Sequence, residues 1–133
     1  MNNKIEIAVR SVLSTYPIHI QKQLLVLRRL IFKVAREYPD LGGLTETLRW
    51  NESTYIPLNA KTGTSLRIAW NRRRPSEFGV FVNCNTDLIA DFKKQHRTLT
   101  YQKTRAIIFK DNETVPLKEI AQFIRNVFTY NLK

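Results

Sequence analysis

Between Leu44 and Cys84 the chain alternates with a period of two residues, broken only by short turns, and this limits the folds open to it. Leu44, Glu46, Leu48 and Trp50 alternate with Thr45, Thr47 and Arg49. Such alternation places each set on one face of an extended strand, whereas a helix would scatter both sets around its axis. Thr54–Leu58 is a second short extended piece. In Ser65–Trp70, Leu66, Ile68 and Trp70 share one face and Arg67 takes the other, and Phe78–Cys84 reads as a further strand. The later gaps are a turn at Lys61-Thr62-Gly63-Thr64 and a polar, arginine-rich loop from Asn71 to Ser76. Gaps this short join antiparallel neighbours, because a parallel crossover needs a dozen residues or more.

Helical periodicity flanks this block. Residues 3–14 carry Ile5, Val9, Val12 and Leu13 at helical spacing, and Tyr16-Pro17 ends the run because the residue before proline avoids the α region. Residues 18–38 read as a long helix. Leu24, Leu27, Ile31, Val34 and Tyr38 form its apolar stripe, and Lys22, Arg29, Lys33 and Arg36 share another face. Pro39-Asp40-Leu41-Gly42-Gly43 then supplies turn chemistry. Thr86-Asp87, a hydroxyl cap followed by an acid, starts a helix that runs to about His96. Leu99–Tyr101 and Arg105–Phe109 are the last strands. Pro116 opens a final helix whose apolar face is Leu117, Ile120, Ala121, Ile124, Val127 and Phe128. The expected fold is α+β, a mostly antiparallel sheet with helices packed on one face.

The 133 residues suit one domain spanning 1–133. Apolar residues at 43% and charged residues at 25% support a packed core rather than disorder. No window approaches the roughly 20 apolar residues of a membrane span, and Met1–Glu6 lacks the apolar run of a signal peptide. Cys84 is the single cysteine. It has no internal disulfide partner, which fits a reducing compartment, so a cytoplasmic location is expected.

Charge is the most informative feature. The formal net charge is +11, from 22 Lys and Arg against 11 Asp and Glu. An imbalance of this size repels itself in the folded state and suits a partner of opposite sign. Between Ser53 and Ser76 there are five bases, Lys61, Arg67, Arg72, Arg73 and Arg74, and no acid. Between Phe92 and Lys110 lie Lys93, Lys94, His96, Arg97, Lys103, Arg105 and Lys110, again with no acid. Ordinary surfaces intersperse both signs. If the strands carrying these runs are neighbours, their cations pool into one patch with little internal neutralisation.

Three segments carry a resemblance to a known family. Leu48-Arg49-Trp50-Asn51-Glu52-Ser53-Thr54-Tyr55, following a helix, Tyr-Pro and a long helix, resembles a segment of the YdhG-like family, domain of unknown function 1801. Gly63–Trp70 and Lys103–Phe109 are similar to a subgroup of the same family, and the likeness covers roughly residues 8–131. It implies a compact α+β domain and no established enzymatic activity. One branch is likened to frataxin, with an iron-donor role that would require exposed carboxylates, since hard iron prefers oxygen ligands. Here the acids are scattered from Glu6 to Glu119 and form no stripe on any helix.

Catalytic signatures are absent: there is no G-x-S-x-G, no G-x-x-x-x-G-K, no H-E-x-x-H and no C-x-x-C. Enzymatic activity is left open, and no cofactor or metal is expected. His19, His96 and Cys84 lack the paired spacing of a zinc site. Gly42-Gly43 reads as a helix end rather than a phosphate cradle, and Cys84 as a small core-facing thiol. Trp50–Tyr55 is the densest polar and aromatic cluster. It is either a pocket wall, with Trp50 and Tyr55 as rigid apolar surface, or a tight strand connection with both rings anchored in the core.

The leading expectation is a binding module for an anionic partner, either nucleic-acid backbone or a phosphorylated or carboxylated small molecule. Arg67, Arg72, Arg73, Arg74, Lys103 and Arg105 would contact the anion. Trp50, Glu52, Tyr55 and Trp70 would wall a pocket beside it. Two other classes stand behind it: metal delivery, implied by the resemblance, and docking of an acidic protein on Lys22, Arg29, Lys33 and Arg36.

Overall fold

A computed structural model describes residues 4–132. Among the described residues, the order is α1 (Ile7–Leu13), α2 (Ile18–Arg36), a 3-10 turn (Pro39–Leu41), β1 (Leu44–Arg49), β2 (Glu52–Pro57), β3 (Leu66–Trp70), β4 (Glu77–Val82), α3 (Leu88–Gln95), β5 (Thr100–Gln102), β6 (Ala106–Lys110), α4 (Leu117–Phe128) and a 3-10 turn (Tyr130–Leu132). The strands form one sheet in the order β1-β2-β3-β4-β6-β5, and every neighbouring pair is antiparallel. The fold is α+β, with helices packed on the sheet. None of the described helices is long and apolar enough to cross a membrane.

The alternation read from sequence sets which face meets the helices. Leu66, Ile68, Val80, Phe78, Ile107 and Phe109 point into one core cluster with Leu24, Leu27 and Ile31 of α2 and Ile120, Ile124 and Val127 of α4. The four α2 cations Lys22, Arg29, Lys33 and Arg36 are exposed, as their shared face requires. Leu117 is an exception on α4: it is 43% exposed, while Phe123, outside the expected stripe, is fully buried. Its position at the first helical residue, directly after Pro116, carries Leu117 beyond the edge of the core.

Several boundaries differ from the sequence pattern for local reasons. Residue 3 lies outside the described residues. Helix α1 begins after Glu6, whose carboxylate accepts from the Ala8 and Val9 amides and supplies the N-terminal cap. Thr86 does not cap α3. Its hydroxyl donates to the Asn83 carbonyl, and Asp87 takes the cap position without a side-chain bond. Gly42 and Gly43 do close a helix end, both at positive φ. Strands β1 and β2 are joined by only two residues, Trp50 and Asn51, with φ of 55° and 62°, and Arg49 pairs Glu52. This is the two-residue hairpin geometry usually served by Asn-Gly.

One ionic cluster lies inside the helix–sheet layer. The Arg28 guanidinium of α2 donates from Nε to Glu46 Oε2 at 2.6 Å and from Nη2 to Oε1 at 3.0 Å. The Tyr55 hydroxyl donates to Oε2 at 2.8 Å, and the Glu6 amide donates to Oε1 at 2.9 Å. Glu46 on β1 therefore ties α1, α2 and β2 together.

Candidate functional site

The face of the sheet opposite the helices carries a shallow trough with a volume of about 350 Å³. Its floor follows from register. Ala69 pairs Gly79, Gly79 pairs Ile108, and Ile108 pairs Thr100, so four strands contribute one row. Ala69 and Gly79 are the smallest residues of β3 and β4. Of this row Ala69, Ile108 and Thr100 line the trough, while the space over Gly79 is taken by the Ile108 and Phe81 side chains. The next row is Arg67, Phe81, Ala106 and Gln102, of which Phe81 and Gln102 line the trough and Arg67 does not. Gly79 is needed here: a Cβ would come within 2.7 Å of the Ile107 carbonyl oxygen and 2.9 Å of Ile108 Cδ1. In a strand interior, glycine often marks such a close approach.

Two connections bring arginines to this depression. The β3–β4 loop is held by Asn71, whose side-chain oxygen accepts from the Arg73 amide at 2.8 Å and whose carbonyl accepts from the Arg74 amide at 3.1 Å. Trp70 Nε1 donates to the Pro75 carbonyl at 3.0 Å and fastens the far end of the loop. Arg73 and Arg74 both line the trough. From the other side comes Arg105, directly before β6, with its amide donating to the Gln102 carbonyl. The two acid-free runs of sequence thus meet around one depression.

They are not free of neutralisation, contrary to expectation. Glu52 and Glu77 lie just beyond the ends of the first run, and the sheet folds both into the trough. Glu52 Oε1 accepts from Arg67 Nε at 3.0 Å. Glu77 contacts Lys110 at 3.2 Å and Arg74 at 3.8 Å. The Arg67 guanidinium also lies 6.0 Å from the Phe81 ring centroid, over its face. Arg73 and Arg105 have no ion-pair partner among the described residues.

The other residues singled out from sequence fall in different places. Arg72 and Lys103 are exposed and lie outside the trough lining, Lys103 in the β5–β6 turn at a φ of 49°. Glu52 and Trp70 line the trough. Trp50 and Tyr55 do not join them. Trp50 sits 86% exposed at the hairpin tip, and Tyr55 is fully buried on the helix face, its ring 5.8 Å from Phe32. Neither alternative for this segment holds for both rings, because its six residues span a turn and a strand that send them to different environments. Cys84, expected to face the core, is exposed beyond the end of β4.

Sequence reasoning missed Ala69, Phe81, Thr100, Gln102 and Ile108 as lining residues. The available signal was the glycine and alanine inside otherwise large-residue strands. Tyr16 adds a second aromatic at the Trp70 end, with ring centroids 5.2 Å apart. Burial and the nearby Glu52 carboxylate push its hydroxyl pKa up, against the pull of the Trp70 backbone amide. Among the described residues, no three His, Cys, Asp or Glu side chains come together as a metal cluster.

The trough can offer two unpaired guanidinium groups, two partly engaged carboxylates, neutral hydrogen-bonding groups from Asn71, Thr100 and Gln102, and an apolar floor. No family model, curated protein or solved structure matches the chain.

Proposed function

We propose that this protein is a binding module that takes an anionic partner on the open face of its sheet. The observation that carries the reading is that Arg73 and Arg105, both without ion-pair partners among the described residues, line one trough together with Ala69 and Ile108. Two unpaired guanidinium groups bordering one trough raise its positive potential, and an arriving anion relieves it. Arginine suits the task because its planar fork binds carboxylate or phosphate through two parallel bonds. A volume of about 350 Å³ lies near the lower end of small-ligand pockets, which begin at about 300 Å³. Kinship with the YdhG-like domains belongs to the same proposal, and the order of the three resembling segments supports it.

Two double variants test the reading at equal net charge. Arg73→Ala with Arg105→Ala removes two cations from the trough, and Lys22→Ala with Lys33→Ala removes two from α2. Binding of a phosphate-bearing ligand at low salt is expected to weaken by about tenfold or more in the first pair, as charge-assisted bonds of about 1.5–3 kcal/mol are lost. The second pair should stay within about twofold, since long-range charge is largely screened. Equal losses in both would mean that net charge alone attracts the ligand.

A further inference from the structure

The two edges of the sheet differ, and one of them is open. We propose that β1 accepts an added strand, an extended acidic segment of another protein whose apolar side chains enter the groove beside Phe32. The inference goes beyond the anion-binding reading and uses other residues.

At one edge β5 has only three residues, a length that offers little to pair with. At the other, β1 has six, in continuous register with β2. That register fixes which backbone groups face outward. The Leu58 amide donates to the Gly43 carbonyl, so by alternation Thr45, Thr47 and Arg49 also bond β2. The amides and carbonyls of Leu44, Glu46 and Leu48 therefore point outward from the edge, and none has a partner among the described residues. On the helix side of this edge lies an open groove lined by Ile5, Ile7, Phe32 and Leu44, with Ile7 80% exposed. Alternate side chains of an added strand would enter it, which is how strand addition gains specificity.

Charge selects the occupant. The two carboxylates of the groove are engaged, Glu6 in capping α1 and Glu46 with Arg28. Lys4 lines the groove. Arg29 and Arg36, three residues before and four after Phe32, share its face of α2, and Arg49 ends β1. All four cations are exposed, and none has an ion-pair partner among the described residues. A second copy, pairing β1 with β1, would set these cations against their own kind on chains of formal net charge +11. An acidic segment meets them with the opposite sign.

Amide hydrogen exchange on the full chain, with a short synthetic peptide alternating Val and Glu, tests this. The expected result is slowed exchange at Leu44, Glu46 and Leu48, and little change at Thr45 and Thr47, which already bond β2. The same peptide N-methylated along its pairing edge keeps its charge and should give no protection. A Val–Lys peptide should bind about tenfold more weakly or worse. Ile7→Asp places an acid in the groove yet suits the first turn of α1, so the fold should hold, as its melting temperature will show. Val–Glu binding to this variant should weaken by about tenfold or more. Absence of Val–Glu binding, or equal binding of the N-methylated peptide, would overturn the proposal. Protection of the same three amides that rises with protein concentration alone would also overturn it, by making a second copy the occupant.

Discussion

Glu46 of β1 grips Arg28 of α2 through both carboxylate oxygens, 2.6 Å from Nε and 3.0 Å from Nη2, with both side chains 7% exposed. The guanidinium also lies 4.8 Å from the Phe32 ring centroid, over its face. Desolvation penalises both charges, and the extra bonds from Tyr55 and the Glu6 amide offset part of that penalty.

Removing one partner strands the other. Glu46→Gln should lower unfolding stability by about 3–5 kcal/mol, because Arg28 keeps a buried charge without its counterion. Chemical denaturation of the variant beside the parent protein reads this directly. A loss below about 1 kcal/mol would mean that the pair is solvated in solution.

The same carboxylate makes stability fall in acid. Burial alone would raise the Glu46 pKa, but Arg28, the Glu6 amide and the Tyr55 hydroxyl more than offset it and hold it below the ordinary 4.5. A folded-state pKa below the unfolded one contributes stability that is present above the unfolded value and lost as pH falls through the folded value. Urea midpoints should drop below pH 4.5 in the parent protein, and less steeply in Glu46→Gln.

Tyr55→Phe keeps the ring against Phe32 and removes only the hydroxyl. The expected loss is about 1.5–3 kcal/mol, the range for a hydrogen bond to a charged acceptor. Burial and the Glu46 carboxylate push the Tyr55 pKa far upward. Ultraviolet titration should therefore show one tyrosine that does not ionise until the protein unfolds.

The cluster also shows where sequence stops being informative. Arg28 reads as an interruption between two apolar stretches, yet it stands four residues after Leu24 and three before Ile31, on the buried face. Helical spacing alone could have placed it there. Its partner could not be found that way, because Glu46 meets Tyr55 only through the β1–β2 register. Strand faces were legible in β3, where Leu66, Ile68 and Arg67 fall as alternation requires. The trough was half legible. Its arginines stood out as acid-free runs, but Glu52 and Glu77 lie just outside one run and reach it through strand pairing.

The hairpin tip offers a gain in stability. Trp50 at a φ of 55° occupies backbone that bulky side chains rarely adopt, and its ring is 86% exposed. Replacing Trp50-Asn51 by Asn-Gly supplies the residues that this turn geometry prefers. Thermal unfolding should rise by the equivalent of about 1 kcal/mol. A fall would mean that the Trp50 ring makes stabilising contacts in solution.

The central claim is that the anion binds between the β3–β4 loop and the β5–β6 turn. Amide chemical-shift mapping during titration with inorganic phosphate or a phosphate-bearing small molecule tests it most directly. The account predicts saturable shifts at Ala69, Asn71, Arg73, Gly79 and Arg105, with Lys22, Arg29 and Lys33 unmoved. Shifts centred on the α2 face, or spread evenly over every basic residue, would contradict it.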